Sequence, residues 1–108
     1  MVMAQFDVFR NPSVAQAQGF PYFVVIQSDQ LDHLPTRLVM PLQRLSATPP
    51  ANVPRRLALT VEVEGERFFL ASHQCAPWPA RLLKKPVANV TAQADALRDA
   101  LDAVISGV

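Results

Sequence analysis

The sequence predicts a small, mainly β protein: a partly closed barrel or twisted antiparallel sheet with one C-terminal α-helix packed alongside. Three observations carry this. Short apolar stretches recur, either with period-two alternation or as β-branched and aromatic runs. Ten prolines stand against three glycines, which suits rigid turns between strands. Only one stretch, near the C-terminus, repeats its apolar residues at helical spacing. No strand–helix–strand alternation is present, so a parallel sheet is not expected.

The elements follow in order. Gln5–Phe9 alternates, with Phe6, Val8 and Phe9 against Gln5 and Asp7, and reads as a half-buried strand. Arg10–Pro21 carries Pro12, Gly19 and Pro21 without periodicity and reads as a loop. Tyr22–Gln27 is a nearly continuous β-branched and aromatic run, the pattern of a central strand covered on both faces. A polar connection closes at Pro35. Thr36–Leu42 is the next strand, with pairing limited near its end by Pro41.

Ser46–Arg56 is a proline-rich loop. Leu57–Ala71 is the clearest hairpin, with Leu57, Leu59, Val61 and Val63 alternating and Gly65 free to take the positive φ of a tight turn. Ser72–Val90 reads as a loop with one or two short strands. The helix is expected over Thr91–Ser106, with Thr91 as N-cap and Asp95 near the positive end of the helix dipole. Leu97, Leu101, Val104 and Ile105 form its packing face, and Gly107 follows as a C-terminal cap.

Residues 1–108 read as one domain, and half of them are hydrophobic, enough for a core without disulfides. No apolar run approaches the roughly 20 residues that span a bilayer, and no secretory signal pattern opens the chain. Cys75 is the single cysteine, so a reducing cytoplasm is the expected home. The net charge of +1 is far from the basic footprint of a dedicated nucleic-acid binder.

Candidate chemistry is sparse. His33 and His73 lack further ligands at metal spacing and read as exposed loop residues. His73 and Cys75 have no third group to orient them as a base and a thiol nucleophile. No glycine-rich phosphate loop is present, so no nucleotide cofactor is indicated. Asp29 and Asp32 are better explained as turn formers than as a carboxylate pair. Trp78, between two prolines, reads as a core plug or packed corner, with a contact anchor as second reading. Arg55–Arg56 and Arg81–Lys84–Lys85 are small basic clusters at loop ends, which an acidic partner would find attractive. The residues alone point to a binding protein without metal or catalytic centre.

One stretch narrows this. Pro21–Leu42, with Gln27-Ser28-Asp29, Arg37 and Pro41-Leu42, resembles the CcdB toxins of bacterial toxin–antitoxin modules. Gln5–Phe9, Glu64–Leu70, Trp78-Pro79 and the closing Gly107-Val108 fall in the matching order, so the resemblance covers nearly the whole chain. It implies the SH3-like barrel shared with the MazF and Kid toxins, and a homodimer with the C-terminal helices near its interface. It implies a toxin, not an enzyme, of a plasmid-maintenance type of module. Such a toxin binds the A subunit of DNA gyrase (GyrA), traps the gyrase–DNA cleavage complex, and is neutralised by a CcdA-type antitoxin. Neither a cofactor nor direct nucleic-acid binding nor a membrane is implied.

In that resemblance the gyrase contact falls on Asp102, Ile105, Ser106, Gly107 and Val108, bordered by Gln30 and Leu31. The family terminus is typically Trp-Gly-Ile; here Ser106 stands in the tryptophan position, and Val108 replaces the aliphatic end. The antitoxin contact has no motif to place it; the loop Arg10–Pro21 and the strands beside it are candidates, and Arg55, Arg56, Lys84 and Lys85 would attract an acidic antitoxin segment. Two other readings stay open: a MazF-like endoribonuclease on the related fold, or a homologue that binds antitoxin without poisoning gyrase.

Overall fold

The computed structural model describes residues 3–45 and 59–106. The expected Ser46–Arg56 loop, the start of the hairpin at Leu57, and Gly107 and Val108 lie outside the described residues. The strands are β1 (Asp7–Arg10), β2 (Tyr22–Val25), β3 (Thr36–Arg44), β4 (Thr60–Val63), β5 (Glu66–Leu70), β6 (Ala76–Pro79) and β7 (Ala88–Asn89), followed by the helix α1 (Ala94–Ser106). The strand order is β4-β5-β3-β2-β1-β7, with β6 also on β3, and every pair is antiparallel. The result is a nearly closed, barrel-like sheet with one C-terminal helix, as the sequence predicts.

The alternation of side chains builds two apolar layers. Val8, Val24, Met40 and Leu42 share one face with Val61, Val63, Phe68 and Leu70, and α1 covers this layer with Leu97 and Ala100. Phe9, Phe23, Val25 and Val39 fill the other face, joined by Leu83 and the half-buried Trp78. Burial on both faces explains why β2 is a continuous apolar run. Each fully buried Val or Leu in these layers contributes roughly 1.5–3 kcal/mol. Trp78 packs against Phe23 with ring centroids 5.0 Å apart, as a packed corner does.

Strand β3 organises the sheet. One edge pairs with β2; the other pairs with β6 over Thr36–Val39 and with β5 over Leu42–Arg44. Pro41 lies within β3, which runs two residues past the expected end at Leu42. Its carbonyl accepts the Ala71 N–H at 3.0 Å, which places its nitrogen at the junction between the β6 and β5 pairings, where the ladder needs no donor. The two prolines of β6 work differently. Ala80 donates toward β3 through the Pro35 carbonyl at 2.8 Å, so by alternation the nitrogens of Pro77 and Pro79 face the edge away from β3. That edge is short of donors, which discourages further strand pairing.

Three features of β1 and α1 differ from the sequence reading: the start of β1, the burial of Asp7 and the helix. Strand β1 starts at Asp7, because Gln5 and Phe6 form a turn closed by the Asp7 N–H to the Ala4 carbonyl at 3.1 Å. Phe6 holds φ at +70°, a left-handed conformation uncommon for an aromatic residue, while its ring is buried. Asp7 is buried rather than solvent-facing: its carboxylate accepts the Ala4 N–H at 3.0 Å and the Asn89 amide at 2.9 Å.

The helix is the third difference. A 3-10 turn over Thr91–Gln93 precedes α1, and Thr91 is not an N-cap; its own N–H donates to the Asn89 side chain at 2.9 Å. Leu97 and Ala100 are the buried helix positions, Leu101 and Val104 are half-buried, and Ile105 is 74% exposed instead of packed. The hairpin turn follows expectation at Gly65, φ +82°, but Glu64 also takes a positive φ of 51°, the pattern of a type I′ turn.

Candidate functional site

The Gln27-Ser28-Asp29 motif builds a loop. Gln27 follows β2, and its side-chain oxygen accepts the N–H of Leu38 in β3 at 2.9 Å. Its amide donates to the carbonyls of Leu31 at 3.2 Å and Thr36 at 3.1 Å, so one side chain ties both ends of the connection. The Ser28 hydroxyl accepts the Gln30 N–H at 3.2 Å and caps a 3-10 turn over Asp29–Leu31. The Asp29 carboxylate accepts the Gln5 N–H at 2.8 Å, across 24 positions of chain. Ser28 and Asp29 are thus turn formers, and no carboxylate pair with Asp32 is needed to explain them.

Arg37 completes the staple from below. Only 8% exposed, its guanidinium donates to the main-chain carbonyls of Asp32 (2.7 Å), Leu34 and Thr36 (3.0 Å). Among the described residues no carboxylate forms an ion pair with it. Its charge is met by carbonyl dipoles that the loop turns inward, and the planar fork of Arg suits several such acceptors at once.

This framework leaves an apolar rim. Leu31 is 44% exposed and Leu34 39% exposed, with Gln30 exposed beside them. Leu34 was not singled out from the sequence. Its signal there is only a second leucine three positions after Leu31, which is indistinguishable from a packed turn of helix.

The second element is the end of α1. Asp102, Ile105 and Ser106 are exposed, and the Ser106 hydroxyl donates to the Asp102 carbonyl at 2.6 Å. The sheet side of the same helix is anchored: Leu97, Arg98 and Leu101 line a small cleft with Gln5, Phe6, Ile26 and Met40. Gln5 belongs to both elements, since its side chain donates to the Ile26 carbonyl at 3.0 Å and its N–H reaches Asp29. Among the described residues no hydrogen bond or ion pair joins Gln30 or Leu31 to Asp102, Ile105 or Ser106. The two elements are linked through Gln5, not directly.

The remaining candidates are dispersed. His33 and His73 are exposed, and the His73 ring nitrogen lies 3.4 Å from the Gln74 amide. Cys75 is a free, half-buried thiol. Among the described residues no group of three His, Cys, Asp or Glu side chains is placed to hold a metal ion. No helix there is long and apolar enough to cross a membrane. Arg81, Lys84 and Lys85 are exposed; Arg55 and Arg56 lie outside the described residues.

The described residues thus form a barrel-like antiparallel sheet with one terminal helix and a loop stapled by Gln27 and Arg37. The family model of the CcdB protein matches residues 5–107, nearly the whole chain, and the chain belongs to that family. No curated protein matches the sequence.

Proposed function

We propose that this protein is a homodimeric toxin that binds the A subunit of DNA gyrase and traps the gyrase–DNA cleavage complex, and that a CcdA-type antitoxin neutralises it in the cytoplasm. The observation that carries the reading is the state of the helix end. Within a family match that runs to residue 107, α1 is anchored by Leu97 and Ala100 and then presents Ile105 to solvent at 74% exposure. An aliphatic side chain displayed on a fixed helix is suited to fill a partner's pocket. Asp102, Ile105, Ser106, Gly107 and Val108 form the contact in this reading, with Gln30 and Leu31 on its border.

The mechanism needs no reacting group on the toxin. A ligand that binds the cleaved-DNA state of gyrase more tightly than the resealed state shifts the population toward cleavage. The toxin acts as that ligand and is no enzyme. Two helix ends in a dimer would offer the gyrase dimer a symmetric pair of contacts.

Titration calorimetry with the gyrase A subunit from the same host tests the contact. The toxin is expected to give saturable heat, and Ile105→Glu, with its fold verified by circular dichroism, is expected to give none. Absence of heat with the unmodified toxin overturns the reading; equal heat with both proteins removes Ile105 from the contact.

A further inference from the structure

Trp78, the single tryptophan of the chain, lines a cleft of about 330 Å3 to which the family reading gives no role. Phe23 and Pro41, cross-strand partners in β2 and β3, line it too, with Phe20 from the loop before β2. Phe23 is buried, whereas Phe20 and Trp78 are half-buried and keep ring surface open to solvent. The polar lining is two primary amides, Gln16 and Gln74. None of the described residues that line the cleft is ionisable.

The walls are held from both sides. On the loop side, the Phe20 N–H donates to the Gln16 carbonyl at 2.9 Å, and the Asn11 amide donates to the Phe20 carbonyl at 2.8 Å. Arg44 of β3 ties the same loop down: its backbone N–H donates to the Gly19 carbonyl at 3.0 Å and its Nε to the Gln18 carbonyl at 2.9 Å. On the other side, Gln74 ends a 3-10 turn over Ser72–Gln74, and its N–H donates to the Ala71 carbonyl at 3.0 Å. The Trp78 ring leans on Phe23 at an interplanar angle of 55°. The amides are left available. Among the described residues the Gln16 side chain forms no hydrogen bond, and the Gln74 amide nitrogen meets only the His73 ring nitrogen, at 3.4 Å.

We propose that this cleft binds the uncharged base of a free purine nucleoside, with the base face on Phe20 and Trp78 and its amine and ring-nitrogen edge on a glutamine amide. Aromatic rings give a flat base a stacking surface. A Gln amide carries a donor and an acceptor side by side, the pattern that pairs with the N6 and N7 edge of adenine. The volume falls within the range of about 300–1,000 Å3 that takes small organic ligands. An aliphatic ligand would leave both amides facing an apolar surface, at a cost in unmade hydrogen bonds. With no cation in the lining, a phosphate group adds no attraction, so nucleotides and nucleic-acid strands gain nothing over the nucleoside. No residue of α1 or of the connection stapled by Gln27 and Arg37 lines the cleft, so the site stands apart from the proposed gyrase contact, and the two can fail separately.

The test titrates adenosine into the full-length protein and follows the emission of Trp78, excited beyond the absorbance of the base. A saturable change in emission is expected. Phe20→Leu, which keeps an apolar wall without a ring, is expected to weaken binding roughly tenfold. Gln16→Ala with Gln74→Ala should weaken it by a similar factor, the fold of each variant being verified by circular dichroism. Adenosine monophosphate and a short oligoadenylate should bind no more tightly per base than adenosine, with little response to salt. In NMR spectra the side-chain amide signals of Gln16 and Gln74 should shift on addition of adenosine. The proposal is overturned by absence of a saturable change, by equal binding to all variants, by tighter binding of the phosphate-bearing ligands, or by NMR shifts that spare both glutamine amides.

Discussion

The side-chain oxygen of Gln27 receives the backbone N–H of Leu38 at 2.9 Å, eleven positions along the chain. The connection between β2 and β3 is therefore closed by a side chain, where a longer ladder would otherwise close it. The same amide donates to Leu31 and Thr36, so three backbone groups depend on one residue. Gln27→Leu is expected to leave the sheet folded while speeding hydrogen exchange at the Leu38 amide, and to cost about 1–3 kcal/mol in urea unfolding. Unchanged Leu38 exchange would show that the staple is not needed.

Arg37 supports the same loop through three carbonyls. Arg37→Met removes their common donor and is expected to destabilise the protein by about 2–3 kcal/mol, read from the denaturation midpoint. Arg37→Lys should recover only part, because an ammonium lacks the planar fork. Full recovery with Lys would assign the effect to charge alone.

Phe6 combines a buried ring with a left-handed backbone. Phe6→Ala is expected to cost about 3–5 kcal/mol through lost packing. Elsewhere a Gly in place of Ala costs roughly 0.5–1 kcal/mol more. At φ +70° that order should vanish or reverse, with Phe6→Gly at least as stable as Phe6→Ala by thermal melting.

Glu64 precedes Gly65 in the hairpin turn and holds φ at +51°. Asn tolerates this conformation better than Glu, and Asn-Gly is the preferred pair of a type I′ turn. Glu64→Asn is expected to stabilise the protein by about 0.5–1 kcal/mol. A lower melting temperature would contradict the turn assignment.

The strands were legible because their side chains alternate or run apolar, and each such run forms a strand within a few residues. Where the reading missed, a long-range or backbone effect decided. Phe6 looks like a strand residue by type, but its turn depends on contacts with Asp7 and Val25. Pro41 removes a donor near the expected strand end, yet β3 pairs on through Leu42–Arg44 because the proline nitrogen falls between two partner strands. Ile105 fits the helical period, but it stands 74% exposed while Val104 beside it is half-buried. The motif Gln27-Ser28-Asp29 with Arg37 was visible as a resemblance; that it staples a loop was not, since its partners lie up to 24 positions away.

The central claim is that the helix end holds gyrase, and gyrase-mediated DNA cleavage tests it most directly. The protein is mixed with gyrase from the same host, ATP and supercoiled DNA, and linear DNA is counted after denaturation of the enzyme. Linear DNA is expected with the unmodified toxin. Ser106 now turns its hydroxyl back onto its own helix, so Ser106→Trp should supply a large aromatic anchor and lower the half-maximal concentration by roughly tenfold or more. Gly107→Glu should abolish cleavage in a protein with an unchanged melting temperature. No linear DNA at any excess of the unmodified toxin, or full cleavage with Gly107→Glu, would contradict the account.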